Sequence, residues 1–97
     1  MTSIDLLVFG DEIESILTSV SAARAGARVA LCRQSTGWLG GLSTRGGLAY
    51  MDITWDTLPP MFEEFLRACG VKRVCLEPNT ADKVLRQWCQ EAGIALL

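Results

Sequence analysis

Ninety-seven residues give room for one domain with a modest buried fraction and exclude a complete two-domain enzyme. A formal net charge of -2 with a pI near 5.0 offers no basic field, so nucleic acid is not an expected partner. The N-terminus Met1-Thr2-Ser3-Ile4-Asp5 has no cationic leader, and the apolar run after it meets Asp11 and Glu12 too soon for a signal or a membrane span.

A cytoplasmic protein with no membrane association is therefore expected. The chain has four cysteines, Cys32, Cys69, Cys75 and Cys89, and no histidine. No C-x-x-C pair or metal-ligand spacing is present, so neither a zinc site nor an imidazole base is expected. Each cysteine reads as a reduced, partly buried thiol serving as a small hydrophobe.

In chain order, Ile4 to Phe9 is an apolar run ending at Gly10, and Val29-Ala30-Leu31-Cys32 is a second. Both suit buried parallel strands. Between them Ile13, Ile16, Leu17 and Val20 fall at i, i+3, i+4 and i+7, the stripe of a helix lying on a sheet. Ser15, Ser19, Ala22 and Gly26 form a second stripe of small residues, and Gly26 suits the left-handed position just past a helix end. The unit is β-α-β, with a right-handed crossover expected.

Gly10 stands where a dinucleotide-binding turn puts its first glycine. In G-x-G-x-x-G the second glycine lets a pyrophosphate approach the backbone and the third lets the helix pack close. Those positions hold Glu12 and Ser15. Ser15 is a mild change, whereas Glu12 adds bulk and negative charge, with Asp11 and Glu14 in the same turn. A phosphate about 4 Å from one carboxylate meets roughly 4 kcal/mol of repulsion at an effective dielectric of about 20, and about 1 kcal/mol in full solvent. The structural alternative is that Asp11 or Glu12 caps the helix. At the end of the second strand, where an acid normally binds the ribose hydroxyls, the chain has Arg33 and Gln34. Gln34 can still accept a ribose hydrogen bond. Arg33 reads equally as a phosphate contact of the NADP kind and as an exposed strand-end charge.

Ser35 to Tyr50 is rich in glycine with apolar residues between, which is not linker composition. Such a loop either approaches a flat or anionic group closely or makes tight turns. Asp52 to Thr57 reads as a polar bend containing Trp55, and Pro59-Pro60 suits a first helical turn. Met61, Phe62, Phe65, Leu66 and Cys69 give an apolar helix face ended by Gly70. Val71 to Leu76 reads as a brief extended segment with Lys72 and Arg73 exposed. Asn79 reads as an N-cap with Asp82 three residues on. Val84, Leu85, Trp88, Cys89 and Ala92 form a buried stripe, Gly93 ends that helix, and Ile94 to Leu97 begins a strand. The fold class is α/β: a Rossmann-like three-layer unit with a small, mainly parallel sheet, β-α-β followed by a glycine loop, two helices and a further strand.

This order, with the Gly10 turn, the helix end Ala22-Ala23-Arg24-Ala25-Gly26 and then Gly37-Trp38-Leu39-Gly40-Gly41-Leu42-Ser43-Thr44, resembles the N-terminus of FAD-dependent oxidoreductases. The stretch from Pro78 to Leu97 is similar to the same family, so the resemblance spans nearly all of the chain. It implies a single partial FAD/NAD(P)-binding domain over residues 1–97, with Gly10 as the turn glycine and Gly40, Gly41 and Thr44 against the flavin and its diphosphate. With Glu12, Ser15, Arg33 and Gln34 these make up the candidate cofactor site, and the cofactor implied is FAD. The chain ends inside an apolar strand, which reads as a truncation. The implied partner is the remainder of a longer oxidoreductase, and an exposed strand edge could also self-associate. No nucleophile or acid-base pair is assignable, Asp5, Asp52 and Asp56 being isolated, so the chain alone is expected to be catalytically incomplete. The alternative is a non-catalytic Rossmann-like module, structural or partner-binding, that has lost its dinucleotide.

Overall fold

The computed structural model describes residues 3–35, 37–50, 54–71 and 75–97. Thr36, Asp52, Lys72 and Arg73, read above as loop, bend and exposed positions, lie outside the described residues. Strand β1 (Leu6–Phe9) leads into helix α1 (Ile13–Arg24) and strand β2 (Val29–Cys32). Two single-turn 3-10 segments follow, Gly41–Ser43 and Trp55–Thr57. Helices α2 (Pro60–Ala68) and α3 (Pro78–Glu91) then return the chain to strand β3 (Ala95–Leu96).

The sheet is parallel with the order β1-β2-β3. Leu6 pairs with Val29 and Phe9 with Cys32, and on the other side Ala30 pairs with Ala95. This register puts Leu6, Val8, Val29, Leu31 and Leu96 on one face, where they pack against α1, α2 and α3 in a single core. The helical stripe read from the sequence is the buried one: Ile13, Ile16, Leu17 and Val20 all lie in that core. Burying a side chain of this size contributes about 1.5–3 kcal/mol. Trp88 meets the Phe65 ring edge-on at 6.1 Å, and Arg24 lies over Trp88 while pairing with Glu64 at 2.9 Å, which ties α1 to α2 and α3.

The expectation of two buried strands holds for β2 and fails for β1. Leu7 is 46% exposed and Phe9 75% exposed. Side chains alternate along a strand, so covering one face buries only every second residue, and no described helix covers the Leu7 and Phe9 face. The cysteine reading also needs one correction, because Cys75 is exposed.

All three helices end in the same way. At α1, Gly26 (φ 104°) takes the left-handed position, its N–H donating to Ala23 O while the Ala27 N–H donates to Ala22 O. The same pair of bonds recurs at Gly70 with Val71 and at Gly93 with Ile94. The start of α3 differs from the sequence reading. Glu77, not Asn79, is the N-cap: its carboxylate accepts the Asn79 and Thr80 N–H groups, and Pro78 occupies the first helical position. Asp82 is turned inward instead.

Leu85 lies fully buried between α1 and the glycine loop. Leu85→Ala is expected to destabilise the chain by about 2–5 kcal/mol, read as a lower urea midpoint. A second expectation concerns acid. Arg28 bonds both carboxylate oxygens of Asp5, through its side chain first and its backbone N–H second, and holds the Asp5 pKa down to about 2 from an ordinary 3.8. The stability from that exposed pair is complete above 3.8 and lost as the pH falls through about 2. Asp5→Asn should flatten the decline of the urea midpoint across this window.

Candidate functional site

The site grows from the turn between β1 and α1. Gly10 has φ 115°, and its N–H continues the ladder to Cys32 O at 2.9 Å. A Cβ added there would lie 3.2 Å from Ser15 Oγ, so Ser15 performs the close packing of helix on turn that a third glycine would allow.

Next to it the Asp11 side chain has no exposed surface. A buried carboxylate requires compensation, and Asp11 receives it from two distant segments. Its Oδ2 accepts the Gln34 N–H at 3.1 Å from the end of β2, and its Oδ1 accepts Arg45 Nη2 at 2.6 Å from the glycine loop. Glu12 is also spoken for: its Oε2 accepts the Leu42 N–H at 2.8 Å. The capping role read for Asp11 or Glu12 is thereby corrected, since α1 has no side-chain cap. The long-range donors outcompete the helix's own first N–H groups for both acids.

The glycine loop lies folded down on this turn. Gly40 N–H donates to Asp11 O at 2.8 Å. A Cβ on Gly41 (φ 57°) would fall 1.2 Å from Glu12 Oε2, so only glycine admits the carboxylate there. A second buried acid grips the loop from the opposite side: Asp82 of α3 accepts the Leu39 N–H at 2.7 Å and pairs with Arg86 at 3.0 Å. Arg86 Nη2 in turn donates to Gly37 O at 2.6 Å. Thr44 is buried, and its hydroxyl donates to Leu39 O at 2.5 Å.

Between turn and loop, beyond the C-terminal ends of β1 and β2, lies a crevice of about 320 Å³ lined by Glu12, Gln34, Gly41, Leu42, Arg45 and Gly46. Open α/β sheets take their ligands at such strand ends. A larger, more apolar cavity of about 690 Å³ adjoins it across Glu12 and Leu42, walled by Leu17, Met61 and Phe62 among others. Of the sequence candidates, Glu12, Gln34 and Gly41 meet in the crevice, and Gly40 lines the larger cavity. Gly10 and Ser15 form the base of the turn. Arg33 sits elsewhere: its N–H donates to Leu97 O at 3.0 Å, and Nε also approaches that carbonyl, at 3.5 Å. Arg45 was not singled out by sequence, and Asp82 was read only as the partner of an Asn79 cap. Arg45 sits directly before a glycine pair, but nothing local in the sequence names its buried partner. Burial pushes the Cys69 thiol up to about 12 and the Cys89 thiol up to about 11, which leaves both protonated and unreactive at neutral pH.

A sequence model of the family described as FAD dependent oxidoreductase matches residues 5–97, and the chain belongs to that family. The crystal structure of THI4 from Thermovibrio ammonificans is similar in fold, with a TM-score of 0.66 at 14% sequence identity. The alignment covers 97% of this chain and 38% of that one. A search of curated proteins returns no match.

Asp11→Ala should cost about 2–4 kcal/mol in urea unfolding, because it strands both the Gln34 N–H and the Arg45 guanidinium. Glu12→Gln, which can still accept the Leu42 N–H, should stay within about 1 kcal/mol of the parent chain.

Proposed function

We propose that this chain forms the first part of the FAD site of a flavin-dependent oxidoreductase and is not catalytically complete by itself. The observation that carries the reading is the crevice at the strand ends, built jointly by the glycine turn and the glycine loop. The residues fit a diphosphate. Gly41 and Gly46 bring backbone close to the opening, and the Leu42 N–H already holds an anionic group, the Glu12 carboxylate. Glu12 is only half-buried and holds the Leu42 N–H through its side chain, so the carboxylate can swing aside and leave that donor to a phosphate. FAD, when bound, supplies an isoalloxazine ring that accepts a hydride or electrons from a substrate.

This chain's own residues position the cofactor. Gly41 and Leu42 face the diphosphate, Gln34 at the end of β2 serves the ribose hydroxyls, and Gly40 borders the larger cavity beside them. Gly10, Ser15 and Thr44 hold the turn and loop in shape. In this reading Arg33 contributes to the strand end and not to a phosphate contact. Substrate binding and acid-base groups come from the remainder of a longer cytoplasmic oxidoreductase, in keeping with the 38% of the THI4 chain that is covered. Among the described residues no helix is long and apolar enough to cross a membrane. The open β1 edge and the exposed Leu7 and Phe9 are where that remainder, or a second copy, would add.

A second reading rests on the Glu12 bond itself. A carboxylate seated on the Leu42 N–H is what a structural module that had lost its dinucleotide would show. Titration of the chain with FAD, followed by flavin fluorescence, separates the two. Glu12→Gly should raise FAD affinity by about fivefold or more, since removing one half-buried carboxylate relieves at least roughly 1 kcal/mol of repulsion. Unchanged affinity would place the phosphate elsewhere. No binding by either form would favour the module.

A further inference from the structure

Arg45 is held on two sides and open on a third. Its Nη2 pairs with the buried Asp11 carboxylate and its Nε donates to Trp38 O at 3.2 Å. Nη1 bonds no atom among the described residues, and the side chain is 31% exposed where it lines the crevice. Among the described residues lining that crevice, Arg45 is the one cation, Arg33 being engaged with the Leu97 carbonyl. Asp11 and Arg45 cancel, Glu12 adds a negative charge, and a dinucleotide brings two more through its diphosphate. A bound diphosphate therefore needs a directed contact with positive charge, and a planar guanidinium fixed on two sides is preorganised to give one.

We infer that Arg45 is the diphosphate ligand of this crevice, holding the buried Asp11 with one edge of its guanidinium and the cofactor's phosphates with the other. The inference rests on the FAD reading above and adds a residue to it. Arg45 thus couples loop position to ligand charge: the group that shapes the glycine loop is the group that recognises the anion. The competing role is purely structural, in which Arg45 serves only to neutralise Asp11.

Removing the buried charge separates the two roles. Asp11→Asn leaves an uncharged partner that no longer requires a cation, and the double variant Asp11→Asn/Arg45→Gln then lacks only the guanidinium. FAD, ADP and riboflavin would be titrated into the full chain and into both variants, with each variant's folding checked by its urea transition. Asp11→Asn is the reference for the double variant, because its Oδ1 can still accept the Gln34 N–H and the two forms then differ only in the guanidinium. The double variant should lose at least tenfold for FAD and ADP, while riboflavin, which has no phosphate, should bind all three forms alike. Equal FAD binding by the single and double variants overturns the assignment of Arg45 and leaves the FAD reading standing. Absence of FAD and ADP binding by the parent chain overturns both. Should the double variant fail to unfold cooperatively, Arg45→Lys decides the matter. Lysine keeps the charge but cannot span Asp11 and a phosphate together, so it should bind FAD several-fold more weakly, and parent-like affinity would overturn the inference.

Discussion

One buried carboxylate sets the shape of the crevice at the strand ends of this molecule. Asp11 lies at the close of β1 with no solvent contact, in a position where an uncompensated charge would not be tolerated. Its partners come from 23 residues away, at the end of β2, and from 34 residues away, in the glycine loop. Satisfying one acid therefore fixes three segments relative to one another. The crevice between them follows from that constraint more than from the glycines, which only allow the backbones to come close. Asp82 performs the matching task on the far side of the loop, so residues 37 to 46 are suspended between two buried acids, each paired with an arginine.

The parallel sheet supplies the frame for this arrangement. Parallel pairing of β1 with β2 places both strand ends, and hence Gly10, Asp11 and Gln34, at one edge of the layer. The helices secure that frame from one face by burying the aliphatic stripe of α1 and the aromatic pair Phe65 and Trp88. The Leu7 and Phe9 face has no such cover among the described residues. Leu7 and Phe9 remain apolar there because the strand composition suits burial on both faces, as parallel strands in α/β folds usually are.

Much of the fold was legible because it depends on periodicity and on glycine. The α1 stripe, the β2 run and the three glycine helix ends are local patterns, and the structure places each where the sequence read it. The start of α3 was misread although a local signal existed: Pro78 at the first helical position makes Glu77 the cap. The exposure of β1 was not legible, since which face is covered is a tertiary fact. The candidate site was legible in part. Glu12, Gln34 and Gly41 do converge, yet Asp11 was read through its nearest N–H groups when its partner was a guanidinium in another segment. Arg45 was illegible for the same reason: the composition of a glycine-rich loop speaks for backbone room, and nothing local names the buried partner of the one cation within it.

The central claim is that the crevice beside Arg45, and not the larger apolar cavity between α1 and α2, receives the phosphate-bearing part of FAD. Amide chemical-shift mapping of the isotope-labelled chain on addition of FAD tests it directly. The expected result is that the largest changes fall on the N–H groups of Gln34, Gly41, Leu42 and Gly46 and on the Arg45 side-chain Nε–H. Changes confined to Thr18, Ser21, Met61 and Phe62, with the crevice amides unmoved, would contradict the account.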